Sequence, residues 1–261
     1  MGGLRLYVKY IRIHFLSSLQ YKGWPLMALS VLFTVVTEPI TVFLLFSRFG
    51  SVGTWTVERV MLVYGLAVAS FGLAEVFSRG FDYFPWQIRT GEFDRILLRP
   101  RNTFLQIIGA RFHVHRISRA AGGLTMVVWA LVRMGVAFTP ETALMLLLAL
   151  AGGYLTYTGV FVLTSAISFW TLEALDWIYI FTNISYQVVK SPPEYLPKWL
   201  FNTFVYVMPM MLFCYFPASA ICGWGEPQAL GWLALPAGAA FLGLACLLWK
   251  VGVRHYASTG S

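Results

Sequence analysis

The sequence predicts an all-α integral membrane protein with six transmembrane helices and an amphipathic helix ahead of the first. Three observations carry this. Apolar residues make up 58% of the 261 positions and charged residues 11%, against roughly 45–50% and about 25% in a soluble domain. Apolar runs long enough to cross the hydrocarbon, about 20 residues each, recur along the chain. Ten Trp, 13 Tyr and 21 Phe suit a protein with two interfaces, where amphipathic rings settle at headgroup depth. The formal charge of +8 points to a basic cytosolic face rather than to nucleic acid, because no soluble domain is present to carry such a site.

Each element follows in order. In residues 4–19, Arg5, Lys9 and Arg12 share one helical face, while Leu4, Val8, Ile11 and Phe15 occupy another. That pattern predicts a helix lying in the interface with its basic side toward membrane lipids; the plainer reading is a cytosolic extension of the first span. The same three basic residues interrupt any apolar run, so the start does not read as a cleavable signal. The first span covers about 24–46 and the second about 57–77. Residues 79–119 then hold eight arginines and three acids, the most charged stretch of the chain. Within it Phe93, Ile96 and Leu97 fall on one face of a short helix that Pro100 ends. Leu105, Ile108 and Phe112 predict a further helix leading into the third span, about 120–138. A Thr139-Pro140 turn precedes the fourth, about 143–169.

Two readings of the next region stay open. Residues 174–190 form the fifth span, with 200–221 as a re-entrant hairpin on the outer side; or 176–199 lie at the cytosolic interface and 201–221 form the fifth span. Pro192-Pro193, Pro209 and Pro217 break the helices in either case. The last span covers about 230–249, and residues 250–261 form a short tail. With both termini cytosolic and 200–221 as the outer re-entrant hairpin, 14 of the 19 Lys and Arg lie inside, as the positive-inside bias requires.

Few residues could carry chemistry. No G-x-x-x-x-G-K-[ST], H-E-x-x-H or G-x-S-x-G occurs, so neither a phosphate-cradling loop nor a hydrolase centre is predicted. His113 and His115 would point to different faces of a helix, and Cys214, Cys222 and Cys246 match neither a zinc site nor a disulfide framework. Ionisable groups inside spans are costly and often functional. Glu38, beside the helix-kinking Pro39, and Glu75 are the candidates for a translocation pathway; the plainer role for Glu38 is a protonated, hydrogen-bonded carboxyl. Arg133 sits near a span end, where it can snorkel. The Gly pairs 122–123 and 152–153 permit close helix approach. In the charged segment, Phe93, Ile96 and Leu97 read as anchors for a partner, with Glu92, Asp94, Arg95 and Arg99 as a polar rim. The plainer reading is a helix on the membrane surface.

The string from Gly91 to Pro100, G-E-F-D-R-I-L-L-R-P, resembles the G-E-x-D-x-x-L-x-R-P signature of bacterial ABC-2-type transport permeases. The basic helix before the first span agrees. So do Pro193-Glu194-Tyr195-Leu196-Pro197, the later Pro209 and Phe216-Pro217-Ala218, and the ending Arg254-His255-Tyr256-Ala257-Ser258-Thr259-Gly260. The resemblance spans nearly the whole chain and implies one permease domain over 1–261. Residues 1–23 would be its interfacial helix, 79–119 its cytosolic coupling loop and 192–227 its outer re-entrant region.

It further implies an exporter subunit in the plasma membrane, paired with a second permease, the same or a paralogous chain, and with two copies of a separate ATPase. That ATPase would carry ATP and Mg; this chain would bind no cofactor. Its docking site would comprise Glu92, Phe93, Asp94, Arg95, Ile96, Leu97, Arg99 and Pro100. The rival functions are an intramembrane enzyme acting on lipid or prenyl substrates, for which clustered acids or histidines are missing, and a scaffold without transport.

Overall fold

The computed structural model describes residues 3–20, 22–51, 53–171, 188, 191, 193–224 and 228–257. Among these the chain is helical, with no strand. Helix α1, Gly3–Gln20, is the expected amphipathic element, with Lys9 and Arg12 exposed and Tyr7 and Tyr10 turned inward. Helix α2, Trp24–Phe49, runs unbroken through Pro39. It is followed by α3, Val57–Phe77. The charged segment forms short helices α4, Phe84–Arg89, α5, Glu92–Leu97, and α6, Thr103–Ile108. Then come α7, Ile117–Arg133, and α8, Pro140–Ile167. The final helix is Ala234–His255.

Among the described residues four helices are long and apolar enough to cross a membrane: Trp24–Arg48, Val57–Phe77, Pro140–Ile167 and Gln228–His255. Lys198–Val207 and Met210–Cys222 make a fifth if counted as one span; they are bent by 70° at a short break. Pro209 stands in that break, where its missing N–H and fixed ring cannot continue a helix. The expected third span is α7, whose 17 residues give about 25 Å of rise against roughly 30 Å of hydrocarbon. The predicted span at 174–190 lies, apart from Val188, outside the described residues.

Two boundaries differ from the sequence reading. Helix α6 ends at Gly109 and does not lead into α7; Phe112 is buried outside any helix. The final helix continues past Trp249 through Lys250 and Arg254, so residues 250–255 of the expected tail are helical.

Two helix pairs organise the core, α3 against α7 and α8 against the final helix. Both depend on glycine. A Cβ on Gly123 would lie 2.3 Å from the backbone nitrogen of Ala69 in α3. One on Gly152 would lie 2.3 Å from the carbonyl oxygen of Ala234, and one on Gly238 would lie 2.3 Å from that of Gly152. Backbones this close gain dispersion contacts that larger residues would prevent. By contrast α2 leaves Leu26, Leu29, Leu32, Phe33, Phe43 and Leu44 exposed, as a helix facing lipid or a second membrane subunit must.

The loops sort to two ends. The Tyr7 hydroxyl donates to the Phe77 carbonyl at 2.8 Å, and His14 stacks on Phe112 at 6.5 Å. Phe169 meets Trp249 at 5.2 Å. One end therefore gathers α1, the charged segment and the last turns of α8 and the final helix. At the other, Thr54 donates to Glu194 at 3.2 Å, and the Trp55 ring lies 6.1 Å from Tyr215 and 5.0 Å from Trp224. Between these contacts Phe213 sits deeper, 5.6 Å from Tyr157 of α8.

Candidate functional site

The charged segment folds back on the bundle. Gly91, at φ 68°, makes the left-handed turn between α4 and α5, a conformation that costs glycine little. The Asn102 side chain caps α6 by accepting from the Phe104 N–H at 2.9 Å. Gln106 Nε2 donates to the carbonyls of Ile96 at 3.2 Å and Arg101 at 3.1 Å, tying α6 to the end of α5. Ser165 of α8 donates to the Phe81 carbonyl at 2.6 Å.

Phe93 is the pin of this arrangement. Its ring lies 5.0 Å from Phe84, 5.7 Å from Phe169, 6.5 Å from Trp249 and 4.9 Å from Tyr256, all at steep angles. Such edge-to-face pairs set positive ring edges against negative faces. One side chain thus joins α5 to the last turns of α8 and the final helix. Asp94 lies beside Tyr256; burial, with the nearby carboxylate, pushes the Tyr256 hydroxyl up to about 12.

This corrects the sequence reading of the anchors. Phe93 is 0% exposed and Ile96 9%, so neither presents itself at the surface. The helical face shared by Phe93 and Ile96 is the face that packs inward. The outward apolar tip is Leu97, 40% exposed, and Leu98, 85% exposed. Arg95, Arg99, Pro100 and Arg101 are exposed around it, while Glu92 and Asp94 are half-buried. Leu98 falls outside the shared face, and its place directly before Arg99-Pro100 was the one available signal.

Glu75, in the last turn of α3, is 2% exposed and ion-paired to three arginines: Arg79, Arg116 at 3.2 Å and Arg119 at 2.8 Å. Arg79 also reaches Asp82 at 2.7 Å, and the Arg119 guanidinium lies 5.2 Å over the Phe71 ring. A carboxylate taken out of water is tolerated when several charged partners surround it. Glu75 thus fastens the end of α3 to the charged segment and the start of α7. Both of its carboxylate oxygens are engaged in these ion pairs. The basic run in sequence contained Arg116 and Arg119 but gave no sign that they converge on Glu75.

The other pathway candidates lie elsewhere. Glu38 accepts a hydrogen bond from the buried Tyr64, joining α2 to α3. Pro39 borders an apolar hollow of about 370 Å³ with Ile40, Phe43, Met61, Met126 and Trp129. His113 and His115 are not on one helix; their rings meet at 5.5 Å and line the same cavity. Among the described residues no group of three His, Cys, Asp or Glu could hold a metal ion.

Residues 32–260 match the family described as ABC-2 family transporter protein. No curated protein matches the chain.

Proposed function

The chain belongs to the ABC-2 transporter family, and from that premise we propose that it is the permease subunit of an ATP-driven exporter. Membership implies association with an ATP-binding subunit. The proposed assembly has two copies of that ATPase, which carry ATP and Mg, and a second permease, the same or a paralogous chain. Both termini and residues 79–119 face the cytosol of a bacterial cell, with the chain in its plasma membrane; the 14 of 19 basic residues on that side support the orientation.

The observation that carries this reading is the linkage through Phe93. A partner seated on the Leu97–Leu98 tip and its arginines pushes on α5, and α5 is pinned to the ends of α8 and the final helix. Closure of an ATPase dimer at the tip therefore moves spans, and a cavity between two permeases alternates between cytosolic and outer access. The region from residue 193 to 224 supports a re-entrant reading, because Glu194, Tyr215 and Trp224 all lie beside residues 54–55 while Phe213 sits deeper. Irregular backbone at that depth is tolerated where protein surrounds it, and Met210, Met211 and Phe213 are buried. Glu38 and Pro39 remain the proposed pathway residues on α2.

The test is purification of the tagged chain from its native membrane, with identification of co-eluting nucleotide-binding proteins and measurement of their ATP hydrolysis in the reconstituted complex. Co-elution with hydrolysis that depends on the permease is expected. A chain that purifies without an ATPase, or whose ATPase is indifferent to it, refutes the proposal. Cysteines placed at Arg95 and Glu194 test the orientation: an impermeant reagent outside intact cells should label only the second.

A further inference from the structure

Beside the foot of α2 the charged segment encloses a cavity of about 450 Å³. Arg79, Arg111, Arg116, His113, His115 and Asp82 line one side; Met27, Ser30 and Val31 of α2 line the other. Three guanidiniums therefore face one carboxylate. Behind the wall Glu75 offsets part of this charge, but Arg119 joins on the same carboxylate. Four arginines against two acids leave an excess of two positive charges around the recess.

Arg111 is the feature that structural ion pairing leaves unexplained. Its guanidinium lies 3.4 Å from the centre of the Tyr83 ring. Tyr83 is in turn stacked on Trp86 at 4.7 Å. Stacking holds the planar donor fork in one orientation, yet among the described residues no carboxylate lies within ion-pair distance of it. A fixed, unneutralised guanidinium at the mouth of a cationic recess is built for an oxyanion.

The histidines fit the same ligand. Burial first, and then the surrounding arginines, lower His113 to about 4, and His115 is lowered for the same reasons. Both rings are therefore neutral near pH 7, each with one N–H to donate. On the α2 side, Leu26, Leu29, Leu32 and Phe33 stay exposed along the helix that forms the wall. The cationic recess thus lies against a helix whose other faces are apolar and exposed.

We propose that this cavity binds a phosphate group carried on a small headgroup, with Arg111, Arg79 and Arg116 holding the oxyanion and His113 and His115 donating to its remaining oxygens. An anionic phospholipid in the cytosolic leaflet and a soluble organic phosphate share this chemistry. The apolar α2 face favours the lipid, because basic pockets between helices at the headgroup level retain such lipids. The site is independent of the exporter reading, and its test needs no ATPase.

The experiment uses the purified full chain in a neutral detergent, with tryptophan fluorescence and the thermal midpoint as readouts. The probes are short-chain phosphatidylglycerol, short-chain phosphatidylcholine and glycerol 3-phosphate, with ionic strength held constant by chloride. Phosphatidylglycerol should bind and stabilise the chain, and phosphatidylcholine should bind more weakly. Arg111→Ala should weaken phosphatidylglycerol binding by about tenfold or more, as expected for a lost charge-assisted hydrogen bond. Arg111→Lys should recover part of it, and Arg101→Ala, on the exposed tip, should not change it. Binding of phosphatidylglycerol without glycerol 3-phosphate assigns the site to lipid. Binding of both, each weakened by Arg111→Ala, assigns it to phosphates generally. His115→Gln gives a second variant in case Arg111→Ala does not fold. No binding by the wild-type chain, or binding that neither variant weakens, overturns the proposal.

Discussion

Replacing Phe93 by alanine, and separately Leu98 by alanine, divides the coupling segment into its structural pin and its contact surface. Phe93 is fully buried among four aromatic rings at 4.9–6.5 Å. A buried Phe→Ala change costs about 3–5 kcal/mol. Edge-to-face contacts, worth about 0.5–1.5 kcal/mol each beyond area, put this site near the upper end. Leu98 is 85% exposed, so its truncation should change stability by less than about 0.5 kcal/mol. As a docking contact it should still weaken ATPase association by about 1–2 kcal/mol, roughly five- to thirtyfold. The assay pairs thermal unfolding of each purified variant in detergent with the affinity for the co-purifying ATPase. Phe93→Ala should melt well below wild type, and its loss of coupling should follow from a loosened segment. Leu98→Ala should melt like wild type and bind the ATPase poorly. A Phe93→Ala protein with wild-type melting would refute the pin, and a Leu98→Ala protein with wild-type association would move the docking surface elsewhere.

Three further outcomes follow from the geometry. Glu75→Gln leaves Arg116 and Arg119 without their carboxylate and should destabilise the chain by about 3 kcal/mol; adding Arg119→Met should recover part of that loss in the same melting assay. Gly152→Ala puts a methyl group 2.3 Å from the Ala234 carbonyl oxygen. It should therefore force α8 from the final helix at a cost of about 1–3 kcal/mol, read as a lowered midpoint. His113 is lowered from 6.5 to about 4, so between those values the unfolded chain holds the extra proton. Stability should be level above pH 6.5 and fall as pH drops toward 4, by on the order of 1–2 kcal/mol after allowance for solvent screening. His115 acts in the same direction, and Arg79, Arg111, Arg116 and Asp82 face the same cavity. In His113→Gln the midpoint should depend less on pH over that window.

The sequence by itself determined the class of the protein and the places of most of its helices. Runs of apolar residues in α2, α3, α8 and the final helix can be recognised without neighbours, because transfer into hydrocarbon is a property of composition and length. The glycine pairs were legible as packing sites for a similar reason: only glycine admits another backbone so closely. The tertiary structure decided which way residues face. Periodicity placed Phe93 and Ile96 on a common face, but not whether that face met a partner or the chain's own core. That depended on Phe169, Trp249 and Tyr256, far away in sequence. Likewise Glu75 read as an isolated intramembrane acid until the fold brought Arg116 and Arg119 to it across the whole charged segment. His113 and His115, expected on different sides of a helix, came to one cavity because the backbone there is not helical up to Val114. A helix carries its own hydrogen bonds and can be read locally, whereas an ion pair or a ring contact is a meeting of two distant segments, and only packing fixes it.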